Sequence, residues 1–186
     1  VGMPGVPCIL ESTLLNQIQE QINKKSQESK ILDALVNLIG TDNIVFKWET
    51  LRRQGETRDY TFENPPMVFN PTDRSISIDP INLKRVIKQL RAERLGKTAI
   101  TQLLLHELSH QMTYGVLHTD SSMLSPEERK FKSNIIELWK EAKEKINTRE
   151  YGLTTVDEFV SEALSNRNFQ KVLATTQSSR KKSIWG

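Results

Sequence analysis

Apolar residues recur at three- and four-residue steps over most of the chain, the spacing that buries one face of a helix. The pattern predicts a first helix that begins near Ser12 and a second over about 29–38, which Gly40 ends. Before them, the glycines and prolines of residues 1–10 predict an irregular arm. We therefore expect residues 1–40 to form an N-terminal arm followed by helices.

Alternation of apolar and polar residues replaces this spacing in the middle of the chain. The segments "NIVFKWETL" and "RDYTFE" alternate and are typical of strands. "MVFN" then leads through the turn "PTDR" into "SISID", which predicts a hairpin around Asn70 to Arg74. These segments predict a small, mostly antiparallel sheet.

The remainder of the chain returns to helical spacing. Asp79 followed by Pro80 is a helix start signal, and Ser125 with Glu128 matches a capping box. The fold class predicted is α+β, with a small sheet followed by a helical half. The predicted helices cover about residues 80–96, 98–117, 125–147 and 155–173.

Composition and charge are those of an ordinary folded domain. Of the 186 residues, 37% are hydrophobic and 26% are charged, which suits one domain with its own core. The net charge of +3 is mild, aromatic residues make up 6%, and no nucleic-acid-binding motif is present, so a nucleic-acid partner is not favoured. No apolar run is long enough to cross a bilayer, so we expect no membrane partner.

The single cysteine and the two ends of the sequence give further expectations. Cys8 cannot form an internal disulfide, so nothing requires an oxidising compartment. The start "VGMPGVPCIL" lacks the pattern of a signal peptide. This start and the end "KKSIWG" predict a segment of a longer protein.

All three histidines lie in "AITQLLLHELSHQMTYGVLH", residues 99–118, and two of them form the motif H-E-x-x-H. Residues four apart on a helix lie about 40° apart around its axis, so His106 and His110 project side by side and could bind one zinc ion. Glu107 is then placed to accept a proton from a zinc-activated water and return it to a leaving amine. Chance is the alternative explanation, and the rarity of histidine disfavours it.

Two residues are unfavourable candidates for the third protein ligand of the zinc ion. His118 lies two turns beyond His110, about 11 Å along a continuing helix and too far to share the ion. Thr113 and Val116 occupy the places where the longer motif H-E-x-x-H-x-x-G-x-x-H needs glycine and histidine. Cys8 could bind zinc in principle, but its Pro- and Gly-rich arm lies far upstream.

Two glutamates of the last predicted helix are better placed. Glu158 and Glu162 lie one turn apart and share a face, and a carboxylate from a second helix completes a His₂Glu zinc site. Glu158 also forms a capping box with Thr155, and Glu162 could simply face solvent. Spacing alone leaves these alternatives open, as well as the choice between the two glutamates.

Two segments of the sequence together carry a resemblance to a known family. "LLHELSHQMT" with "YGLTTVDEFVSEALSNRNFQKVL" resembles the gluzincin-like zinc metallopeptidase domains of large virion and polyvalent proteins of tailed bacteriophages. The shared pattern combines a strand-forming segment, an L-L-H-E-x-x-H helix, a helical hairpin and an E-F-x-x-E-A-x-[ST]-N segment, over roughly residues 65–175. The resemblance implies a zincin-like metallopeptidase domain over residues 41–175, followed by a basic tail at 176–186.

The resemblance also implies roles for individual residues. It implies that His106, His110 and Glu158 bind Zn²⁺ and that Glu107 is the general base. Glu162 falls where such domains place an acid that supports a ligand, although that acid is usually aspartate.

Two further features of the site are expected from these positions. Tyr114 lies one turn beyond His110 and is a possible transition-state stabiliser, with Tyr151 and His118 as weaker candidates. In zincins the strand nearest the site helix forms the rim of the cleft, so we expect "SISID" to be an edge strand that binds an extended peptide.

The function expected from the sequence is hydrolysis of peptide bonds in a peptide or protein substrate. The resemblance implies a domain of a larger virion-associated polypeptide, located in the virion or the host cytoplasm. The alternative is a non-catalytic virion module in which a structural metal site is retained and a fourth protein ligand replaces the water.

Overall fold

The computed structural model describes residues 27–51, 65–92, 96–146 and 149–176. Within these ranges the fold is α+β and mostly helical, with six helices and one sheet of three strands. The chain divides into two compact units between Leu104 and Leu105. The predicted helix near Ser12, the strand at 58–63 and the tail lie outside the described residues. No helix in these ranges is long and apolar enough to span a membrane.

The sheet of the first unit is mixed. Its strands are β1 (Val45–Trp48), β2 (Met67–Asn70) and β3 (Ser75–Ile78). β2 and β3 form the predicted antiparallel hairpin, and its turn holds Arg74 at a φ of 57°. β1 pairs in parallel with β3, so the prediction of a mostly antiparallel sheet is wrong. Alternation along a strand shows which face is buried and does not encode the direction of its neighbour.

Strand β3 lies in the centre of the sheet, between β1 and β2. Its residues Ile76 and Ile78 are fully buried. Because both edges of β3 already carry ladder hydrogen bonds, this strand cannot add an extended peptide. The expectation that "SISID" is a peptide-binding edge strand is therefore wrong.

One helix of the first unit ends, and another begins, at a predicted signal. α1 (Gln27–Ile39) ends at Gly40, whose φ of 82° is accessible to glycine at little cost. α2 (Pro80–Ala92) begins after Asp79, whose carboxylate accepts hydrogen bonds from the backbone N–H groups of Ile81, Asn82 and Leu51. The bond from Asn82 has the largest effect, and together these bonds hold the pKa of Asp79 below its ordinary value.

Helix α3 (Gly96–His118) carries the H-E-x-x-H motif and crosses the boundary between the units. The second unit also contains α4 (Pro126–Lys145), α5 (Val156–Ser165) and α6 (Arg167–Thr175). Ser125 and Glu128 form both bonds of the predicted capping box. The buried core of this unit comprises Ala142, Ile146, Leu153, Phe159, Ala163, Phe169 and Leu173.

The last predicted helix is in fact two helices. Asn166 separates α5 from α6 with a φ of −101° and a ψ of 108°, outside the helical region. Its side-chain oxygen accepts hydrogen bonds from the N–H groups of Asn168 and Phe169, which caps α6. The prediction of one continuous helix is wrong because asparagine competes with the helix for its own backbone.

Candidate metal centre

The motif helix α3 is buried on most of its circumference around the histidines. Leu105 and Leu108 are fully buried, and so are the hydroxyls of Ser109 and Thr113. These hydroxyls donate to the carbonyls of Leu105 and Ser109, at 2.6 and 2.8 Å, within the same helix. These two buried hydroxyls are therefore satisfied within the helix itself.

Three donor atoms converge where α3 faces α5. Nε2 of His106 lies 3.1 Å from Nε2 of His110, and Glu158 Oε2 lies 3.2 and 3.6 Å from these two nitrogens. All three ligand atoms lie within 4.8 Å of one another. Glu158 Oε2 is buried and accepts no hydrogen bond, although it lies close to both imidazoles. The three atoms are directed at a common point rather than at one another.

The convergent donors fit a tetrahedral metal ion. Ligand atoms about 2.0–2.1 Å from a tetrahedral zinc ion are roughly 3.3 Å apart, and the three separations here bracket that value. Two imidazoles with one carboxylate form a donor set that suits zinc and related transition metals, whereas Ca²⁺ and Mg²⁺ take oxygen ligands. This group of residues could therefore hold a metal ion.

Glu162 contacts the other nitrogen of the first histidine. Its Oε1 lies 3.2 Å from Nδ1 of His106, and its Oε2 accepts a hydrogen bond of 2.6 Å from the side-chain amide of Asn166. A carboxylate at Nδ1 fixes the tautomer of an imidazole and directs Nε2 to a ligand. The two glutamates that the sequence left as alternatives lie at opposite nitrogens of one ring.

The charges of this cluster are strongly coupled. Burial lowers the pKa of His106, but Glu158 and Glu162 outweigh burial and raise that pKa to about 10. Burial raises the pKa of Glu158, but the contacts with His106, His110 and Tyr151 hold it well below its usual range. Metal binding at these atoms therefore has to compete with protonation of His106.

Glu107 follows the first histidine and lies on the motif helix. Its side chain is buried, with 8% of its surface exposed. Its negative charge is one of the causes that raise the pKa of His106. The carboxylate therefore acts electrostatically on the first histidine of the group.

Asn166 was not recognised as a site residue from the sequence, and Tyr151 was named only as a weaker candidate for a transition-state stabiliser. Tyr151 stacks on His106, with ring centroids 6.3 Å apart, and it also contributes to the lowered pKa of Glu158. Asn166 holds Glu162, as described above. The position of Asn166 four residues after Glu162, next to a helix end, was an available signal for the second contact. Nothing in the sequence around Tyr151 indicates the first.

The other predicted residues lie further along α3. Tyr114 stacks on His118, with ring centroids 4.2 Å apart. Nε2 of His118 donates to the Oδ1 of Asp157 at 2.9 Å. The structure thus places His118 against a carboxylate of α5 and not with the three convergent donors. Cys8 lies outside the described residues.

Comparisons with protein-family models, with curated proteins and with solved structures find no match to this chain. Inferences about the site therefore rest on its geometry and on the chemistry of its residues.

Proposed function

We propose that this chain is a zinc-dependent metallopeptidase domain of zincin type, with His106, His110 and Glu158 as the zinc ligands. The observation that supports this function most is the convergence of these donors, from two helices, within 4.8 Å. Two histidines and one glutamate are the protein ligands of a common class of zinc peptidases, in which the remaining coordination position serves the chemistry.

Glu107 is the general base of the proposed reaction. Zinc bound by these ligands would lower the pKa of a water molecule and polarise the substrate carbonyl. The carboxylate of Glu107 accepts a proton from the attacking water and returns it to the nitrogen of the leaving amine, so that one water molecule is consumed for each peptide bond. Tyr114, one turn beyond His110, is the proposed donor to the oxygen of the former carbonyl.

The proposed substrate is a peptide or protein, and the proposed context is a larger virion-associated polypeptide. This part of the proposal rests on the resemblance of "LLHELSHQMT" and "DEFVSEALSN" to phage metallopeptidase domains. It predicts that the active protein cleaves an extended segment of a virion component or of its own parent chain.

The alternative function is a virion module that uses the metal as a structural element. A structural zinc site has four protein ligands, whereas the group found within the described residues offers three. This difference favours hydrolysis.

The experiment that tests the proposal measures bound metal and hydrolysis on the same preparations. The purified chain is analysed for zinc and incubated with a peptide library whose cleavage is read by mass spectrometry. We expect Glu107→Gln to retain zinc and to lose hydrolysis by roughly 10²–10⁴-fold, because the amide cannot accept the proton. Glu144→Gln, at an exposed carboxylate of α4, is the matched control.

Three outcomes would contradict parts of the proposal. Unchanged turnover in Glu107→Gln would remove its assignment as the base. Stoichiometric zinc with no cleavage by the unmodified chain would favour the structural module. Absence of zinc from the unmodified chain would remove the metal site itself.

A further inference from the structure

Asn166 contacts Glu162 twice at the point where α5 ends. Its backbone N–H donates to the carbonyl of Glu162 at 2.8 Å, and its side-chain amide donates to Oε2 of the same residue at 2.6 Å. The other carboxylate oxygen, Oε1, lies 3.2 Å from Nδ1 of His106. The two oxygens of Glu162 therefore have different neighbours, one an amide and the other an imidazole.

The side chain of Asn166 also caps the following helix. Its Oδ1 accepts hydrogen bonds from the backbone N–H groups of Asn168 and Phe169, at 2.9 and 3.2 Å. Because a backbone N–H can only donate, the amide oxygen has to face α6 and the amide nitrogen has to face Glu162. A flipped amide would lose all three bonds. The start of α6 thus fixes the direction in which Asn166 donates.

The residues joined by these contacts are mostly shielded from water. The side chain of Glu162 is 14% exposed and that of His106 is 16% exposed. Phe169, whose N–H donates to Asn166, is buried and packs edge-on against Phe159, with ring centroids 6.0 Å apart. Water therefore competes little for the oxygens of Glu162, and the contacts that lead to His106 start from a packed part of the backbone.

We propose that Asn166 is a positioning residue that directs Oε1 of Glu162 at His106 and thereby fixes the direction of Nε2 toward the metal. This inference rests on the metal site proposed above. A ligating histidine is held in one tautomer and one orientation by a carboxylate at its other nitrogen, and that carboxylate needs a hydrogen-bond partner of its own. With Oε2 bonded to the amide, Glu162 cannot turn away from the imidazole without breaking a part-buried bond. Loss of the donor lets the carboxylate rotate, so His106 is held less firmly.

The experiment separates this contact from the capping of α6. Serine and aspartate cap helices about as well as asparagine, but neither has an amide donor. Asn166→Ser and Asn166→Asp therefore retain the cap and lose the bond to Glu162. Asn168→Ser, at an exposed position of α6, is the matched control. The zinc affinity of the full chain and of each variant is measured by competition with a chromogenic chelator, and circular dichroism shows whether each variant folds.

A double-mutant cycle tests whether Asn166 acts through Glu162. Asn166→Ser is also introduced into the Glu162→Ala variant, in which the acceptor of the amide is missing. A merely structural role of Asn166 would lower zinc affinity by the same factor in both backgrounds. In addition, NMR of the unmodified chain observes the side-chain amide protons of Asn166, because a bond to a carboxylate shifts one of them downfield and slows its exchange with water.

We expect Asn166→Ser to lower zinc affinity by roughly 3–10-fold, no more than loss of an outer hydrogen-bond partner costs. Asn166→Asp should lower it at least as much, because a second carboxylate then faces Glu162, and Asn168→Ser should leave it unchanged. In the Glu162→Ala background, Asn166→Ser should have no further effect.

Unchanged affinity in a folded Asn166→Ser, or the same loss in both backgrounds, would overturn the inference. If neither variant at Asn166 folds, rapid exchange of its amide protons in the unmodified chain would overturn it equally, and a protected, shifted proton would support it. Absence of zinc from the unmodified chain would contradict the proposed metal site and this inference with it, whereas the other outcomes leave that site intact.

Discussion

Two of the histidine–carboxylate pairs between helices α3 and α5 differ in the surroundings of their histidines. His106 pairs with Glu158, and His118 pairs with Asp157, so the two acids are neighbours in sequence. The two acids are equally buried, with Glu158 18% and Asp157 19% exposed, whereas His106 is 16% and His118 is 48% exposed. In the second pair one N–H donates to one oxygen, which is an ordinary surface contact.

The first pair belongs to a group of residues that contact one another around the ring of His106. His106 has Glu158 at Nε2, Glu162 at Nδ1 and the ring of Tyr151 at its side. Buried charges are costly unless they are paired, and these pairings direct one nitrogen of His106 toward the same point as His110. Chemical type therefore does not distinguish a proposed ligand from a surface histidine. The distinction lies in burial and in how many partners fix the ring.

The largest expected effect comes from removing one of the three convergent donors. Loss of an outer hydrogen-bond partner typically lowers metal affinity by roughly 10–100-fold. Glu158→Ala should lower zinc affinity by more than this, because it removes one of the proposed ligands. His118→Ala, which removes the exposed pair, should leave zinc content unchanged. Zinc content is measured by elemental analysis after dialysis. Retention of zinc by the first variant together with its loss from the second would reverse our distinction between the two pairs.

The next largest effect concerns the packing behind the buried pair. An added Cβ at Gly152 would lie 2.7 Å from the ring of Phe169 and 2.9 Å from Cβ of Glu162. Gly152→Ala should therefore lower the free energy of unfolding by about 1–3 kcal/mol, since the buried ring has to shift. Urea denaturation followed by circular dichroism measures this change.

Gly115→Ala is the matched control for that substitution. Gly115 is exposed within α3, and nothing lies within 4 Å of an added Cβ. Alanine should raise the free energy of unfolding here by roughly 0.5–1 kcal/mol, because glycine loses more backbone entropy in a helix. Equal changes at the two glycines would show that the crowding at Gly152 has no energetic consequence.

A smaller effect is expected from the acid that orients the first histidine. Glu162→Gln keeps the shape of the side chain but removes the charge that faces Nδ1 of His106. A glutamine amide has only one acceptor oxygen, so it cannot serve both His106 and Asn166 as the two carboxylate oxygens do. Zinc affinity should fall by roughly 10-fold. Competition with a chromogenic chelator measures this affinity, with Glu144→Gln as control. A variant that binds zinc as tightly as the unmodified chain would show that Glu162 does not orient His106.

Local signals in the sequence predicted the local parts of this structure. The Asp79–Pro80 pair, Gly40 and the capping box of Ser125 act within a few residues, and the helices begin or end where they indicated. The central position of β3 depends on pairing between strands distant in sequence, which alternation does not specify. The break at Asn166 was missed because helical spacing continues through it while its side chain caps the next helix.

For the candidate site too, local spacing predicted one part, and contacts between residues distant in sequence determine the rest. The spacing of His106 and His110 placed them on one face, and this part needed only helix geometry. Helix spacing could not separate Glu158 from Glu162, because both lie on one face and only a facing ring distinguishes Nε2 from Nδ1. Tyr151 lies in a turn with no periodicity, so its contacts with His106 and Glu158 become visible only in the folded chain.

The smallest expected effect tests the exposed pair itself. Asp157→Asn weakens the bond to His118, and because His118 is about half exposed, solvent screens the pair. The free energy of unfolding should fall by no more than about 1 kcal/mol, and His118→Asn should cost about as much. In a double-mutant cycle by urea denaturation, the coupling energy should be about 0.2–1 kcal/mol. A coupling of several kcal/mol, accompanied by loss of zinc, would mean that the exposed pair positions Glu158 and is not a surface contact.

A small coupling with full zinc content would support our distinction between the two pairs. The two acids are adjacent on α5 and equally buried, so the pairs would then differ chiefly in what surrounds their histidines.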